Sequence, residues 1–128
     1  MSIKDFIRSR SKAIKIALEG ITYVLKTQLN ARIHAAFTLA VFLLAGILKL
    51  SRLEWMILLL TVGLVWAAEI FNTAIEVGVD VASPDYDPKA KIIKDISAGA
   101  VLVSVIISIL VGLLLFGLPL WNWIQQIF

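Results

Sequence analysis

Residues 55–80 read WMILLLTVGLVWAAEIFNTAIEVGVD, an apolar run that acquires three acids and an asparagine without losing its helical rhythm. About 20 helical residues cross a hydrocarbon core of about 30 Å, so this stretch is long enough to be a membrane-spanning helix. Glu69, Asn72, Glu76 and Asp80 follow one another at spacings of three, four and four residues. At about 100° per residue they fall within about 80° of arc and form one stripe. A carboxylate near the bilayer centre costs on the order of 2.5–3.5 kcal/mol on insertion scales, so such a stripe faces protein, water or a cation rather than lipid. Two plainer readings stand beside a functional one: a buried ion-pair seam between helices and, for Asp80 and the later Asp95, helix-end carboxylates at the interface that need no partner.

The rest of the chain agrees with a membrane setting. Of 128 residues, 60% are hydrophobic and none is cysteine; a soluble domain carries roughly 45–50% apolar residues. A disulfide framework and a thiolate metal site are thereby excluded. Three segments qualify as spans, at about residues 31–50, 55–79 and 96–118. KLSRLE joins the first two as an antiparallel pair, and ASPDYDPKAKIIKD, with Pro84 and Pro88, joins the second to the third, its AKIIKD end already helical in pattern. Residues 1–30 form a separate unit. There Ile3, Ile7, Ile14, Leu18, Ile21 and Leu25 recur at helical spacing against a basic stripe of Lys4, Arg8, Lys12 and Lys15, the pattern of an amphipathic helix lying in the interface. The expected fold class is therefore an all-α membrane protein, with an N-terminal amphipathic surface helix (1–30) and a three-helix transmembrane domain (31–128).

Charge sets the expected orientation. Ten of the twelve Lys and Arg residues lie in the arm or in the loop with Lys89, Lys91 and Lys94. Both regions belong on the cytoplasmic side, which puts the N-terminus in the cytoplasm and the C-terminus outside a multi-pass cell (inner) membrane protein. Trp55, Trp121 and Trp123 would then sit together at the outer interface, where indole rings are enriched. Clustered arm charge suits anionic headgroups, and no basic soluble domain points to nucleic acid.

In this frame the stripe is graded in depth. Glu69 and Glu76 are two turns, about 10.5 Å, apart, with Glu76 close to the cytoplasmic surface and Glu69 one layer deeper. A charged soluble substrate reaches the first and a lipid headgroup the second. Lys94 and Asp95 return at the same level, so acids, an amide and a lysine meet at one membrane surface. Handling a metal-bound polyphosphate requires such a set, Mg²⁺ taking oxygen ligands and lysine pairing with phosphate. Walker, glycine-rich-loop, HRD and DFG patterns are absent from the sequence.

EIFNTAIEVGVD followed by AKIIKDISAGAVL closely resembles the signature of the small prokaryotic diacylglycerol kinases, E-x-x-N-[ST]-A-I-E-x-x-x-D then A-K-x-x-K-D-x-x-[AS]-[AG]-A-V-L. ALEGITYVLKTQLNARIH is similar to that family's surface helix and first-span start, and the likeness covers about residues 10–110. It implies a homotrimeric lipid kinase of three-span subunits with active sites shared between neighbouring chains. The γ-phosphoryl of ATP is moved to a lipid hydroxyl, of diacylglycerol or of undecaprenol. By matching position, the resemblance implies Glu69 as general base, supported by Asn72, and Glu76 as ligand of Mg²⁺. It implies Asp80, Lys94 and Asp95 around the nucleotide, with Asp85, Tyr86 and Asp87 in the loop approaching it. Whether Arg8 or Arg10 of the arm also contributes is not fixed by the motif. YDPKAK and the T-x-x-N-x-R-I-H start lean toward the undecaprenol-using branch.

One departure stands out. Where many members have T-E-x-N, this chain has TQLN, so the second metal-ligand position is Gln28. A glutamine carbonyl still suits Mg²⁺ but lacks charge, which implies weaker metal binding or a shifted ion. The chain is then a tolerated variant, an engineered form or a weakened kinase. His34, the lone histidine, is expected to be an interfacial residue at the start of the first span. The reading from another class is a non-catalytic membrane oligomer or ion-conducting bundle whose acids line a polar interior.

Overall fold

A computed structural model describes residues 2–127 of the chain. It contains four helices, α1 (Ile3–Thr27), α2 (Leu29–Ile47), α3 (Arg52–Ala82) and α4 (Pro88–Ile127), and no strand among the described residues. Helices α2, α3 and α4 are each long and apolar enough to cross a membrane. Only 11–22% of their most hydrophobic windows is buried within the chain, so most of the spanning surface is left for lipid or further copies. Leu60, Leu114 and Leu118 illustrate this: all are fully hydrophobic and at least 75% exposed, an arrangement that hydrocarbon tolerates and water does not.

Short-range chemistry explains the breaks between helices. A capping box starts α1, with the Ser2 amide donating to the Asp5 carboxylate at 3.2 Å. Gln28 alone separates α1 from α2, in extended conformation at φ −102° and ψ 122°. After α2, Lys49 adopts φ 55°. There the Lys49 amide donates to the Gly46 carbonyl at 3.2 Å and the Leu50 amide to the Ala45 carbonyl at 3.1 Å, the paired bonds of a Schellman stop. Ser51 then caps α3 reciprocally with Glu54, the Ser51 amide donating to its carboxylate at 2.7 Å. Asp87 caps α4 by accepting from the Lys89 amide at 2.8 Å, with Pro88 at the first helical position where its missing N–H is harmless. This cap explains why the third span, expected from Ile96, is the middle of a longer helix.

Packing is closest between α3 and α4. Toward the Trp55 end, Ala45, Leu50, Leu58, Leu115 and Phe116 form a buried cluster, joined by Trp55 and Phe42 with ring centroids 5.8 Å apart. Trp121 and Trp123 follow Phe116 on α4 and so belong to this same end. On the other half of α4 the buried side chains are Ser97, Val101 and Ser104. The small residues Ala98, Gly99 and Ala100 are not among them. Ala98 and Ala100 are exposed, and a Cβ at Gly99 would meet nothing within 4 Å. Because α4 is apolar around its whole circumference, spacing alone does not tell which face packs. The Trp66 indole N–H donates to Thr38 at 3.0 Å, tying α3 to α2.

The α2–α3 turn is the local feature most open to test. A non-glycine residue in the left-handed region costs roughly 1–2 kcal/mol, more for a β-branched one. Lys49→Ile should therefore lower the thermal unfolding midpoint in detergent, Lys49→Gly should hold or raise it, and Ser51→Ala should cost about 1 kcal/mol. Helical circular dichroism of the three variants measures the order.

Candidate functional site

The stripe on α3 runs from the interior of the bundle to its α3–α4 loop end, and each level has a different partner. Deepest is Glu69, 1% exposed. Its backbone carbonyl accepts from the Thr73 hydroxyl at 2.9 Å. Its carboxylate Oε2 is buried with no hydrogen-bond partner, and the nearest opposite group is His34 Nε2 on α2, 3.8 Å away. An ionisable side chain held this way inside a membrane helix marks a functional site by default.

One turn on, Asn72 is buried against α4. The Ser97 hydroxyl donates to Asn72 Oδ1 at 2.7 Å, and the Asn72 amide donates to Glu76 Oε1 at 2.9 Å. The Lys94 carbonyl is a second acceptor within reach of Ser97, at 2.9 Å. Ser97 thus orients the amide so that its N–H₂ faces the carboxylate. Glu76 is half-buried and keeps its other oxygen uncommitted by this chain of bonds. At the open end Asp80 pairs with Lys94 across the α3–α4 interface.

The other expected residues lie outside this run of contacts. Asp95 does not join the stripe; it pairs with Lys91 on the exposed surface of α4. Residues 91 and 95 are one turn apart, whereas 94 and 95 diverge by about 100°, so only Lys94 is turned to α3. Asp85, Tyr86 and Asp87 lie exposed in the loop, Tyr86 at 82%, and Asp87 serves as the cap of α4. Gln28 forms the α1–α2 joint with its side chain half-buried, and its backbone amide bonds to the Val24 carbonyl at 2.9 Å. The sequence reading missed Ser97 and Thr73, and it gave His34 only an interfacial place. Ser97 was signalled by lying three residues beyond Lys94, on the same face of α4.

No three His, Asp or Glu side chains among the described residues gather into a metal cluster. The donors that the stripe offers, the Glu76 carboxylate first among them, are all oxygen. Hard cations such as Mg²⁺ take oxygen ligands, often only one or two carboxylates with phosphate and water completing the shell, so the residues present fit that ion. A cavity of about 390 Å³ lies between α2, α3 and α4, lined mostly by apolar residues such as Phe37, Val41, Val62, Val65 and Ile109, with His34 also on its wall.

Comparison with known proteins identifies the family. Residues 15–116 match the model of the prokaryotic diacylglycerol kinase family. An undecaprenol kinase of Bacillus subtilis is 41% identical over 105 residues, covering 82% of this chain and 85% of that protein. A diacylglycerol kinase of Synechocystis sp. is 40% identical over 101 residues, covering 78% of this chain and 58% of that longer protein. The match takes in the surface helix from Lys15, all of α2 and α3, and α4 through Phe116, and with it every level of the stripe: the chain belongs to the prokaryotic diacylglycerol kinase family.

Proposed function

We propose that the chain is a lipid kinase that transfers the γ-phosphoryl of ATP to the hydroxyl of a membrane lipid, undecaprenol in preference to diacylglycerol. The observation that carries this reading is the buried Glu69 carboxylate, with an oxygen free of hydrogen bonds, two turns below the half-open Glu76 on one helix face. Two co-substrates from different phases need two such levels. The undecaprenol kinase relative shares the larger part of both lengths, and the mostly apolar cavity that His34 lines suits a prenyl chain.

In this reading Glu69 takes the proton of the lipid hydroxyl as its oxygen attacks phosphorus. Asn72, oriented by Ser97, holds the Glu76 carboxylate toward the polyphosphate. Glu76 and the Gln28 carbonyl hold Mg²⁺, which when bound neutralises charge on the phosphate oxygens. Lys94 exchanges Asp80 for a phosphate oxygen, a charge-assisted bond. Asp95, Asp85, Tyr86 and Asp87 surround the nucleotide from the α4 start and the loop. The N-terminus and this loop face the cytoplasm of the inner membrane, where ATP is, with the C-terminus outside. Copies assemble as a homotrimer, for which the largely uncovered spans leave ample surface.

Incubating the purified chain in lipid with labelled ATP and Mg²⁺ should label undecaprenol, and diacylglycerol more slowly; label in neither would sink the kinase reading. General-base catalysis contributes about 10²- to 10⁴-fold. Glu69→Gln should therefore lower kcat by about that range while leaving the KM for ATP and the oligomeric state in place. Gln28→Glu should lower the Mg²⁺ concentration needed for half-maximal rate several-fold. A titration that superimposes on the parent chain's would place Gln28 away from the ion.

A further inference from the structure

Glu69 is sealed, with 2% of its side chain exposed, and a base that accepts a proton in a sealed site must lose it before the next turnover. His34 is the group placed to take it. Its Nε2 is 3.8 Å from Glu69 Oε2, both atoms are buried without any hydrogen-bond partner, and its side chain is the more accessible of the two at 16%. The ring also lines the apolar cavity between α2, α3 and α4. The separation is longer than a hydrogen bond, as catalytic contacts often are before substrate tightens them.

The surroundings leave His34 little competition. From α3 the other ionisable group at hand is Glu76, two turns shallower. Helix α4 carries no ionisable side chain after Asp95, and in the last turn of α1 Lys26 is exposed.

We propose that His34 is the positioning residue for Glu69, and the acceptor to which Glu69 hands on the proton of the lipid hydroxyl. This rests on the kinase reading above. As the lipid oxygen bonds to the γ-phosphorus, the bond from that phosphorus to the bridging oxygen of ADP breaks and the hydroxyl proton passes to the Glu69 carboxylate. The new O–H bond at Glu69 then breaks as an N–H bond forms at His34 Nε2. Glu69 returns to carboxylate, and the imidazolium releases its proton to water.

The test uses the full-length chain in lipid, with undecaprenol and ATP. His34→Ala should lower kcat by about tenfold to hundredfold, with the KM for ATP within twofold of the parent. Added imidazole should restore the rate several-fold by entering the vacated space next to the cavity. Pyrazole, a ring of the same shape and far weaker basicity, should not. His34→Gln, which keeps volume and polarity but cannot carry the proton onward, should be slowed at least tenfold and decides the matter if the alanine variant does not fold. A parent chain that labels lipid, with His34→Gln or His34→Ala within twofold of it, would overturn the proposal alone, as would rescue by pyrazole equal to that by imidazole. A parent chain that labels no lipid would overturn the kinase reading and the proposal with it.

Discussion

A carboxylate inside a membrane helix constrains everything around it. Glu69 is 1% exposed in a span whose neighbours are hydrocarbon-like, and a polar group buried without full compensation costs a few kcal/mol in such surroundings. The chain meets this cost by walling the group in rather than by pairing it fully. Helix α2 brings His34 opposite, and the Thr73 hydroxyl bonds back to the Glu69 carbonyl within α3. One carboxylate oxygen stays without a partner. Unsatisfied buried polar atoms are rare in native proteins and call for an explanation; the base role proposed for Glu69 would supply one.

From that level outward, the polar contacts tie the helices together at fixed registers. His34 faces Glu69 across α2 and α3, Ser97 bonds Asn72 across α4 and α3, and Lys94 pairs with Asp80 nearer the loop. Successive contacts on α3 fall about one to two turns apart, so a slip of α3 or α4 would break more than one of them. Apolar packing does the corresponding work at the other end, around Leu58, Leu115 and Phe116. In hydrocarbon, apolar contacts between helices lack the driving force they have in water. Register there depends more on the polar seam, and the seam is also the proposed site.

Much of this was legible in the sequence, and the reason is locality. Spans, the amphipathic arm and the 3-4-4 stripe are properties of consecutive residues, and hydropathy and helical period report them directly. Partners across the bundle are not. His34 is 35 positions from Glu69, and a lone histidine at the start of a span carries no mark of what it will face. Ser97 and Asn72 are 25 positions apart, and the uniformly apolar α4 conceals which of its faces meets α3. Asp95, although adjacent in sequence to Lys94, points about 100° away and pairs with Lys91 on the surface of α4. The AKIIKD pattern announced the start of α4, which the Asp87 cap ahead of Pro88 fixes.

The deep half of the stripe is covered by its own chain. Glu69, Asn72 and Thr73 are buried by α2 and α4 of the same molecule, while the residues left outside on α3, such as Leu60, Leu64 and Phe71, are apolar. Those side chains are content against lipid, so no second copy is needed to hide the acids in the deep half of the bundle. At Glu76 the cover thins: the carboxylate is half-buried and only one of its oxygens is held, by Asn72. Whatever completes the site, be it nucleotide, metal or a neighbouring subunit, has its opening there rather than at Glu69. In the proposed reaction, a deep level closed by the fold and a shallow level closed by its ligands would keep water from the attacking hydroxyl while still admitting a soluble phosphate donor.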